Sequence, residues 1–289
     1  MSLSNLYVPR VLPTLSGTIE EEIRTKKIIE GEAFVGQPTR RDKHEFRSIH
    51  CEPGVVFGAS GSGYFEIGDT KVLCSVHGPR AVQRNIVESG QLDCEVRYAP
   101  FAKRPDSNSE ASGGSGGGGA GISSSERQIS QMMREALMGS IRLDQYPKMV
   151  ISIYVIILQS SGSIGGDLSS SINCGSLALA DASIELLDFV TACTVALSNN
   201  NAIEISSSSS SSSSAPSYLS ILDPSNIESR LSIGKITIAG VSTALEISQV
   251  WCEGRIDPLV ISEMTDIACS GNKQIRSVLA ECMRGKIMK

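Results

Sequence analysis

The chain has 289 residues, of which 40% are hydrophobic and 20% are charged. This length and composition are typical of a soluble globular protein with one large domain or two moderate ones. The formal net charge of −5 excludes a protein coated in basic surface for non-specific nucleic-acid binding, because such binding requires Lys and Arg to neutralise phosphates. A local basic strip is still compatible with this charge.

The cysteines and the apolar segments indicate a protein of the cell interior. The eight cysteines form no C-x-x-C pair and have no histidine at zinc-finger spacing, which predicts small, buried, reduced residues. The N-terminal segment interrupts its apolar residues with Asn, Pro and Arg and lacks the apolar region of a signal peptide. The longest apolar run, at 149–158, is about half the length of a membrane helix.

The first part of the chain predicts an arm followed by three strands. Residues 1–39 are charge-rich and are expected to form an N-terminal arm. Residues 61–80 alternate on both sides of Gly68, which predicts a hairpin. One face of its second strand carries Val72, Cys74 and Val76, and residues 91–99 predict a third strand of the same type.

A Gly- and Ser-rich segment separates these strands from the first long helix. Residues 105–125 contain too few apolar groups to compensate the entropy of ordering, so we expect a disordered insertion. The helix is predicted to begin with a capping box formed by Ser123 and Glu126. Its apolar side chains fall on one face at helical spacing: Ile129, Met132, Met133, Ala136, Leu137 and Ile141.

The rest of the chain predicts alternating strands and helices. In order, the patterns indicate a strand at 149–158, a loop at 159–171, a helix at 172–189, a strand at 190–197, a disordered insertion at 199–217 that contains a run of nine serines, two strands, and a last helix that opens at Asp257-Pro258. This order predicts one domain over 40–289, of the α/β (α+β) class, in which helices pack on a mixed sheet.

Common catalytic motifs do not fit this chain. The histidines His44, His50 and His77 follow no metal-ligand spacing and are interpreted as surface or structural residues. "GASGSG" at 58–63 is followed by no Gly-Lys-Ser/Thr and has serine where a nucleophile elbow needs glycine. "GSGGGG" at 114–119 follows no strand, so it does not predict a dinucleotide site.

A group of basic residues with interleaved aromatic residues suggests a nucleic-acid contact. Tyr98 and Phe101 lie among them, and such a combination can hold single-stranded RNA by phosphate contacts and base stacking. An ordinary solvated charged surface is the competing interpretation. The candidate RNA-facing residues are Arg80, Arg84, Arg97, Lys103 and Arg104.

The stretch "ILDPSNIESRLSIGKITIA" at 221–239 raises the question of catalysis. It holds two carboxylates, Asp223 and Glu228, directly before a strand-like alternation. From these residues alone it can be a loop that gathers acids around a metal or an ordinary turn into a strand.

Three stretches together resemble the RNase PH family: "GSGYFEIGDTKVLCSVHGPR", "CEVRYAPFAKR" and "INCGSLALADASIELLDFVTAC". The resemblance runs from about residue 40 to 283 and rests on the order and spacing of these pieces. It implies a fold like domain 2 of ribosomal protein S5, and assembly of six such folds into a ring around a pore. For a subunit of the eukaryotic RNA exosome core, the resemblance implies three kinds of partner: other RNase PH-like ring subunits, RNA-binding cap subunits, and RNA in the channel.

The resemblance also implies what an active site would need. Active members place two aspartates before this strand to hold a divalent metal for phosphorolysis, and these positions fall on Glu228 and Gly234. The phosphate-binding turn before the first helix falls near Ser125, and the loop before the second helix has its acid, Asp167, displaced. These degenerate positions predict a chain with no catalytic residue, bound metal or cofactor.

We therefore expect a non-catalytic structural subunit of the exosome core ring that takes part in 3′-to-5′ RNA processing and degradation. It is expected in the nucleus and nucleolus and also in the cytoplasm, with no membrane association. The alternative is an active phosphorolytic 3′-to-5′ exoribonuclease that uses Glu228, with Asp223 or Asp167, and magnesium. A composite site, in which this chain lends basic residues to an active neighbour, is left open.

Overall fold

The computed structural model describes residues 44–81, 89–102, 123–199, 218–241 and 246–287. The predicted arm, 1–39, lies outside these ranges. The helices are α1 (Ser124–Met138), α2 (Ile164–Asp181), α3 (Asn226–Leu231) and α4 (Pro258–Ile287). The strands are β1 (Ile49–Pro53), β2 (Gly61–Ile67), β3 (Thr70–Ala81), β4 (Gln91–Tyr98), β5 (Met149–Gln159), β6 (Val190–Asn199), β7 (Tyr218–Leu222), β8 (Gly234–Val241) and β9 (Glu246–Gly254).

The strands form two sheets that share the core. Sheet A has the order β1-β2-β3-β5-β4 and is antiparallel except for the parallel pair β4 and β5. The predicted mixed sheet is therefore confirmed, and the predicted face of β3 is buried, with Val72, Cys74 and Val76 fully enclosed. Sheet B has the order β7-β6-β8-β9 and is entirely antiparallel. Sequence periodicity identified strands but not their division between two sheets.

Helix α2 occupies the space between the two sheets. It contacts β2 and β3 of sheet A and β6 and β8 of sheet B, and nearly all of its residues are buried. Its Gly, Ala and Ser residues allow the strands to approach its backbone closely. The amide of Asn173 pairs with the backbone of Ala192 on β6, donating to the carbonyl at 2.9 Å and accepting from the N–H at 2.8 Å.

The boundaries of α2 differ from the prediction. The helix begins at Ile164, inside the predicted 159–171 loop, and ends at Asp181 rather than continuing to 189. Gly and Ser have weak helix propensity, but burial against both sheets overrides it. Two of its serine hydroxyls are satisfied within the helix, since Ser169 donates to the carbonyl of Gly166 at 3.0 Å and Ser171 to that of Asp167 at 2.7 Å. The buried hydroxyl of Ser170 has no hydrogen-bond partner among the described residues.

Both predicted insertions lie largely outside the described residues, but their ends can be corrected. Ser124 and Ser125 belong to the first turn of α1 rather than to the 105–125 segment, and Asn199 is the last residue of β6 rather than part of 199–217. Sequence reasoning also missed β1, β7 and α3. These elements have five, five and six residues, which is too short for a hydrophobic period to be recognised.

The predicted starts of α1 and α4 are confirmed. Ser123 caps α1, and its capping box with Glu126 is complete on both sides. At the start of α4, the carboxylate of Asp257 accepts a hydrogen bond from the N–H of Leu259 at 3.1 Å. Across the described ranges, no helix combines the length and apolar character needed to span a membrane.

All eight cysteines are free thiols. Cys74 and Cys193 are buried and Cys94 is half-buried, and burial raises the pKa of each of these thiols above its ordinary value. They are therefore protonated at neutral pH and contribute to packing. Cys252 differs from the prediction of a buried residue, because it is exposed on the edge strand β9.

An ion pair between Arg47 and Asp223 connects the two sheets. The guanidinium of Arg47 donates two hydrogen bonds of 2.7 Å to the carboxylate of Asp223, and the side chains are only 13% and 9% exposed. Arg47 lies two residues before β1, and the carbonyl of the next residue, Ser48, accepts from the N–H of Gly68 in the turn between β2 and β3 of sheet A. Asp223 follows β7 and donates its N–H to Thr194 of sheet B. Burial alone would lower the pKa of Arg47, but its bonds to Asp223 raise it, so the pair stays ionised.

Replacing Asp223 by Asn should lower the free energy of unfolding by about 3 kcal/mol, because it leaves a buried guanidinium without its counter-charge. Asn preserves the side-chain shape and tolerates the left-handed backbone at this position, where φ is 49°. The measurement is urea denaturation of the full chain. Glu185→Gln is the control, since it breaks the exposed pair with Arg142 at 4.0 Å and should cost less than about 1 kcal/mol. Equal losses for the two variants would contradict this role.

Candidate functional site

The stretch at 221–239 folds as the end of β7, a turn, the short helix α3 and the start of β8. Glu228 lies in the first turn of α3 and forms a capping box with Ser225. Its carboxylate accepts from the N–H of Ser225 at 2.8 Å, and the hydroxyl of Ser225 accepts from the N–H of Glu228 at 3.4 Å. The carboxylate therefore satisfies a backbone donor at a helix start.

Gly234, the second position that the resemblance assigns to a metal-binding aspartate, is buried at the start of β8. A Cβ atom there would lie 2.5 Å from Cγ1 of Ile256 and 3.2 Å from the carbonyl oxygen of Arg255. The adjacent Lys235 places its ammonium 3.4 Å from the carboxylate of Glu253. The space that a side chain would need at 234 is thus occupied by Ile256 and by backbone carbonyl oxygens.

Asp167 lies in the first turn of α2 and is buried. Its Oδ2 accepts hydrogen bonds from the hydroxyl groups of Tyr98 and Ser160, each at 2.7 Å. Burial, and then the neighbouring charge of Asp167, raise the pKa of the Tyr98 hydroxyl well above its ordinary value, so it remains a donor. Asp167, the acid that the resemblance to the family shows displaced, therefore faces the protein interior and fixes the end of β4 against α2.

Ser125 lies in the first turn of α1, with its hydroxyl 3.1 Å from that of Ser123. The next residue, Glu126, accepts from the N–H of Tyr98 at 2.8 Å and from that of Ser123 at 2.7 Å. Burial by itself would raise the pKa of Glu126, but these backbone hydrogen bonds outweigh it, and the pKa is lowered. Tyr98 thus links Glu126 through its backbone and Asp167 through its side chain.

These residues do not fit a divalent metal. Glu228, Asp167 and Asp223 each make hydrogen bonds or an ion pair within the fold, and position 234 has no room for a ligand. Among the residues that the structure describes, no group of three or more His, Cys, Asp or Glu is arranged to hold a metal ion. An Mg²⁺ site requires several oxygen ligands around one point, which this arrangement does not provide.

The predicted RNA-facing strip is only partly within the described residues, because Arg84, Lys103 and Arg104 fall outside them. Arg80 is exposed near the end of β3, opposite Val150, and Arg97 lies on β4, opposite Ile156. Both project from the same face of sheet A, separated by about 20 Å along β5. Arg97 makes an ion pair of 2.7 Å with Glu95. The two described arginines therefore share a face but do not form one cluster.

The partners of the acids were not identified from the sequence. Arg47 and Tyr98 hold Asp223 and Asp167 across 176 and 69 residues of chain. The capping box of α3, in contrast, has a local signature, Ser225 followed three residues later by Glu228, and could have been recognised. This signature predicts that residues 221–239 form a structured turn rather than a metal-binding loop.

The chain is similar to several known proteins. A family model described as "3' exoribonuclease family, domain 1" matches residues 45–185. The exosome complex component mtr3 of Schizosaccharomyces pombe is 30% identical, covering 83% of this chain and 83% of that protein. The Homo sapiens exosome complex component MTR3 is 30% identical over 70% of this chain and 69% of its own. The exosome complex component RRP41-like of Arabidopsis thaliana is 28% identical over 94% and 93%.

A solved structure supports the fold. The crystal structure of rice (Oryza sativa) Rrp46 matches with a TM-score of 0.64 and 17% sequence identity, covering 83% of this chain and 97% of that one. At this identity the likeness shows the shared fold only.

Replacing Gly234 by Ala should lower the free energy of unfolding by about 2 kcal/mol, because the added methyl group overpacks the contact with Ile256. Gly139→Ala is the matched control, since a Cβ atom at Gly139 meets nothing within 4 Å. The two variants are compared by thermal and urea denaturation. If Gly234→Ala proves as stable as the control, position 234 has room for a side chain, and the steric argument is wrong.

The lowered pKa of Glu126 predicts a pH-dependent contribution to stability. A carboxylate with a lowered pKa stabilises the fold above the ordinary glutamate value of 4.5, and this contribution is lost as the pH falls through the folded-state pKa. The difference in unfolding free energy between the wild type and Glu126→Gln should therefore shrink between about pH 6 and pH 3. Denaturation titrations across this range measure it, with Glu281→Gln on the surface of α4 as the control for the loss of one carboxylate. A constant difference would contradict the assignment.

Proposed function

Because the chain belongs to the RNase PH family, we propose that it is a non-catalytic structural subunit of the RNA exosome core ring. In this role it contributes to ring assembly and to the RNA channel in 3′-to-5′ RNA processing and degradation. The proposal draws on the relatives named exosome complex component MTR3. The stretches "YAPFAKR" and "ILDPSNIESR" likewise resemble the subunit called mRNA transport regulator 3.

The observation that carries the non-catalytic part of the proposal is the geometry of Gly234. Phosphorolysis with a divalent metal needs carboxylate ligands at the reacting phosphate. At this position a side chain would overlap Ile256, and the other family position, Glu228, is held in a capping box. A metal site here would therefore lack the ligand at 234, and binding of Glu228 to a metal would require the helix cap at Ser225 to open.

The alternative of an active phosphorolytic exoribonuclease is not favoured. It would use Glu228, with Asp223 or Asp167, and magnesium. Asp223 is neutralised by Arg47, and Asp167 faces Tyr98 and Ser160 inside the protein. Recruiting Asp223 would leave the buried guanidinium of Arg47 without its counter-charge, and recruiting Asp167 would break its hydrogen bonds from two hydroxyl groups; both changes are energetically costly.

The proposed partners follow from the ring architecture. Other RNase PH-like ring subunits flank the chain, RNA-binding cap subunits sit on the ring, and RNA passes through the central channel. The proposed location of the chain is the nucleus and nucleolus, and also the cytoplasm, where RNA is processed and degraded. Whether basic residues of this chain complete a neighbour's active site is a separate question, which the same preparations can address.

The first test is the composition and mass of the native complex that copurifies with a tagged copy of the chain. We expect one copy of this chain among different RNase PH-like chains with RNA-binding caps. A homo-hexamer would overturn the proposal, because six copies of one chain would have no other subunit to supply the missing chemistry.

The second test is phosphate-dependent release of nucleoside diphosphates from RNA by the purified chain. We expect no release above background, with or without Mg²⁺. Release that persists in Glu281→Gln and is lost in Glu228→Gln would establish the catalytic alternative instead.

A further inference from the structure

Two cysteines meet where the end of α4 packs against β1. Cys51 lies on the half-buried side of β1, between the exposed residues His50 and Glu52. The thiol of Cys282, near the end of α4, donates a hydrogen bond to the backbone carbonyl of Cys51 at 3.2 Å. The fold thus brings together two thiol-bearing residues that are 231 positions apart in the chain.

Contacts on both sides of Cys282 hold this part of α4 in place. One turn earlier, Leu279 is fully buried in the core. One turn later, the ammonium of Lys286 makes an ion pair with Asp181 at the end of α2. The carboxylate of Asp181 also accepts a hydrogen bond from the N–H of Ser62 on β2 at 3.0 Å. The end of α4 is therefore anchored to α2 and sheet A, and Cys282 stays opposite β1.

The two thiols also interact with each other. Burial, and then a hydrogen bond with the thiol of Cys282, raise the pKa of Cys51 to about 12. Cys74 and Cys174 form a second pair of interacting thiols, but both of these residues are fully enclosed in the core. Cys51 and Cys282 are each partly exposed. Of these two pairs, only Cys51 and Cys282 can be reached by a small reagent from solvent.

We propose that Cys51 and Cys282 form a redox-modifiable dithiol site, in which a low-molecular-weight disulfide such as oxidised glutathione creates a disulfide bond between β1 and α4. A disulfide requires the two side chains to lie side by side, with Cβ atoms about 3.5–4.5 Å apart. Because the two thiols already interact, forming the bond requires side-chain rotation rather than displacement of α4. An isolated exposed thiol, such as that of Cys252, would stop at a mixed disulfide with glutathione.

The reaction is a thiol–disulfide exchange in two steps. The sulfur of Cys282 loses its proton to solvent and attacks one sulfur of oxidised glutathione, which forms a mixed disulfide and releases one glutathione thiolate. The sulfur of Cys51 then loses its proton, attacks the Cys282 sulfur and displaces the second glutathione. Two protein thiols are oxidised, one glutathione disulfide is reduced to two thiols, and the two protons end on the released glutathione molecules.

The order of the steps follows from the surroundings of Cys51. Its raised pKa keeps it protonated at neutral pH, and a protonated thiol is a poor nucleophile toward a reagent in solution. In the second step, by contrast, the disulfide it attacks is held beside it. The reaction is expected to take hours rather than seconds, so the site responds to sustained oxidation rather than to a brief exposure.

The test incubates the full chain in glutathione buffers with an increasing oxidised fraction, blocks the remaining thiols with N-ethylmaleimide and identifies disulfides by peptide mass spectrometry. We expect a peptide that links Cys51 to Cys282 as the main product, while Cys74 and Cys174 stay reduced. The bond constrains the unfolded chain over a long loop, so the melting temperature should rise by about 5 °C or more. Dithiothreitol should reverse the rise.

Two variants separate the paired site from ordinary thiol reactivity. Cys51→Ser should leave Cys282 as a stable mixed disulfide with glutathione and should abolish the rise in melting temperature. Cys252→Ser is the matched control, because Cys252 is exposed on the edge strand β9. This control should form the link between Cys51 and Cys282 and show the full rise.

Three results would overturn the site: no linked peptide in the native wild-type chain, a linked peptide that forms only after unfolding in urea, or a link between Cys74 and Cys174 in equal yield. A rise in melting temperature that persists in Cys51→Ser would also overturn it, because the stabilisation would then have another source. If Cys51→Ser does not fold, the wild-type chain still decides, since the linked peptide and its reversal by dithiothreitol require no variant.

Discussion

The burial of α2 between two sheets is the constraint on which the rest of the structure depends. A helix enclosed in this way favours small or apolar residues, which explains its Gly, Ala and Ser content and the bonds of the Ser169 and Ser171 hydroxyls to its own carbonyls. The same constraint determines the fate of Asp167. An acid in the first turn of such a helix is enclosed with it, and needs donors such as Tyr98 and Ser160 to remain there.

The candidate acids illustrate how a catalytic constellation can be replaced by structural contacts without a change of fold. Each carboxylate near the family's metal positions has a local function: Glu228 caps α3, Asp223 joins the two sheets through Arg47, and Asp167 anchors β4. Among the described residues these carboxylates do not gather into a group that could hold a metal ion. Stability and metal binding thus compete for the same groups, and the observed geometry favours stability.

Sequence reasoning predicted the elements whose signal is local. The hairpin around Gly68, the capping box of α1 and the start of α4 follow from periodicity and cap chemistry over a few residues. It failed where tertiary contacts decide, as in the first eight residues of α2, which are helical because they are buried. The candidate site was predictable only in part. The sequence shows that Gly234 has no side chain, but it does not show the contact with Ile256 that leaves no room for a side chain there.

The close approach at Gly234 has an evolutionary consequence. A single change of Gly234 to aspartate would place Cβ against Ile256, so the intermediate would be overpacked before it could bind a metal. Regaining the ligand would require a smaller residue at 256 as well, and that change alone would leave a void. Each single change therefore lowers stability on its own, so this packing opposes the stepwise introduction of an acidic ligand at position 234.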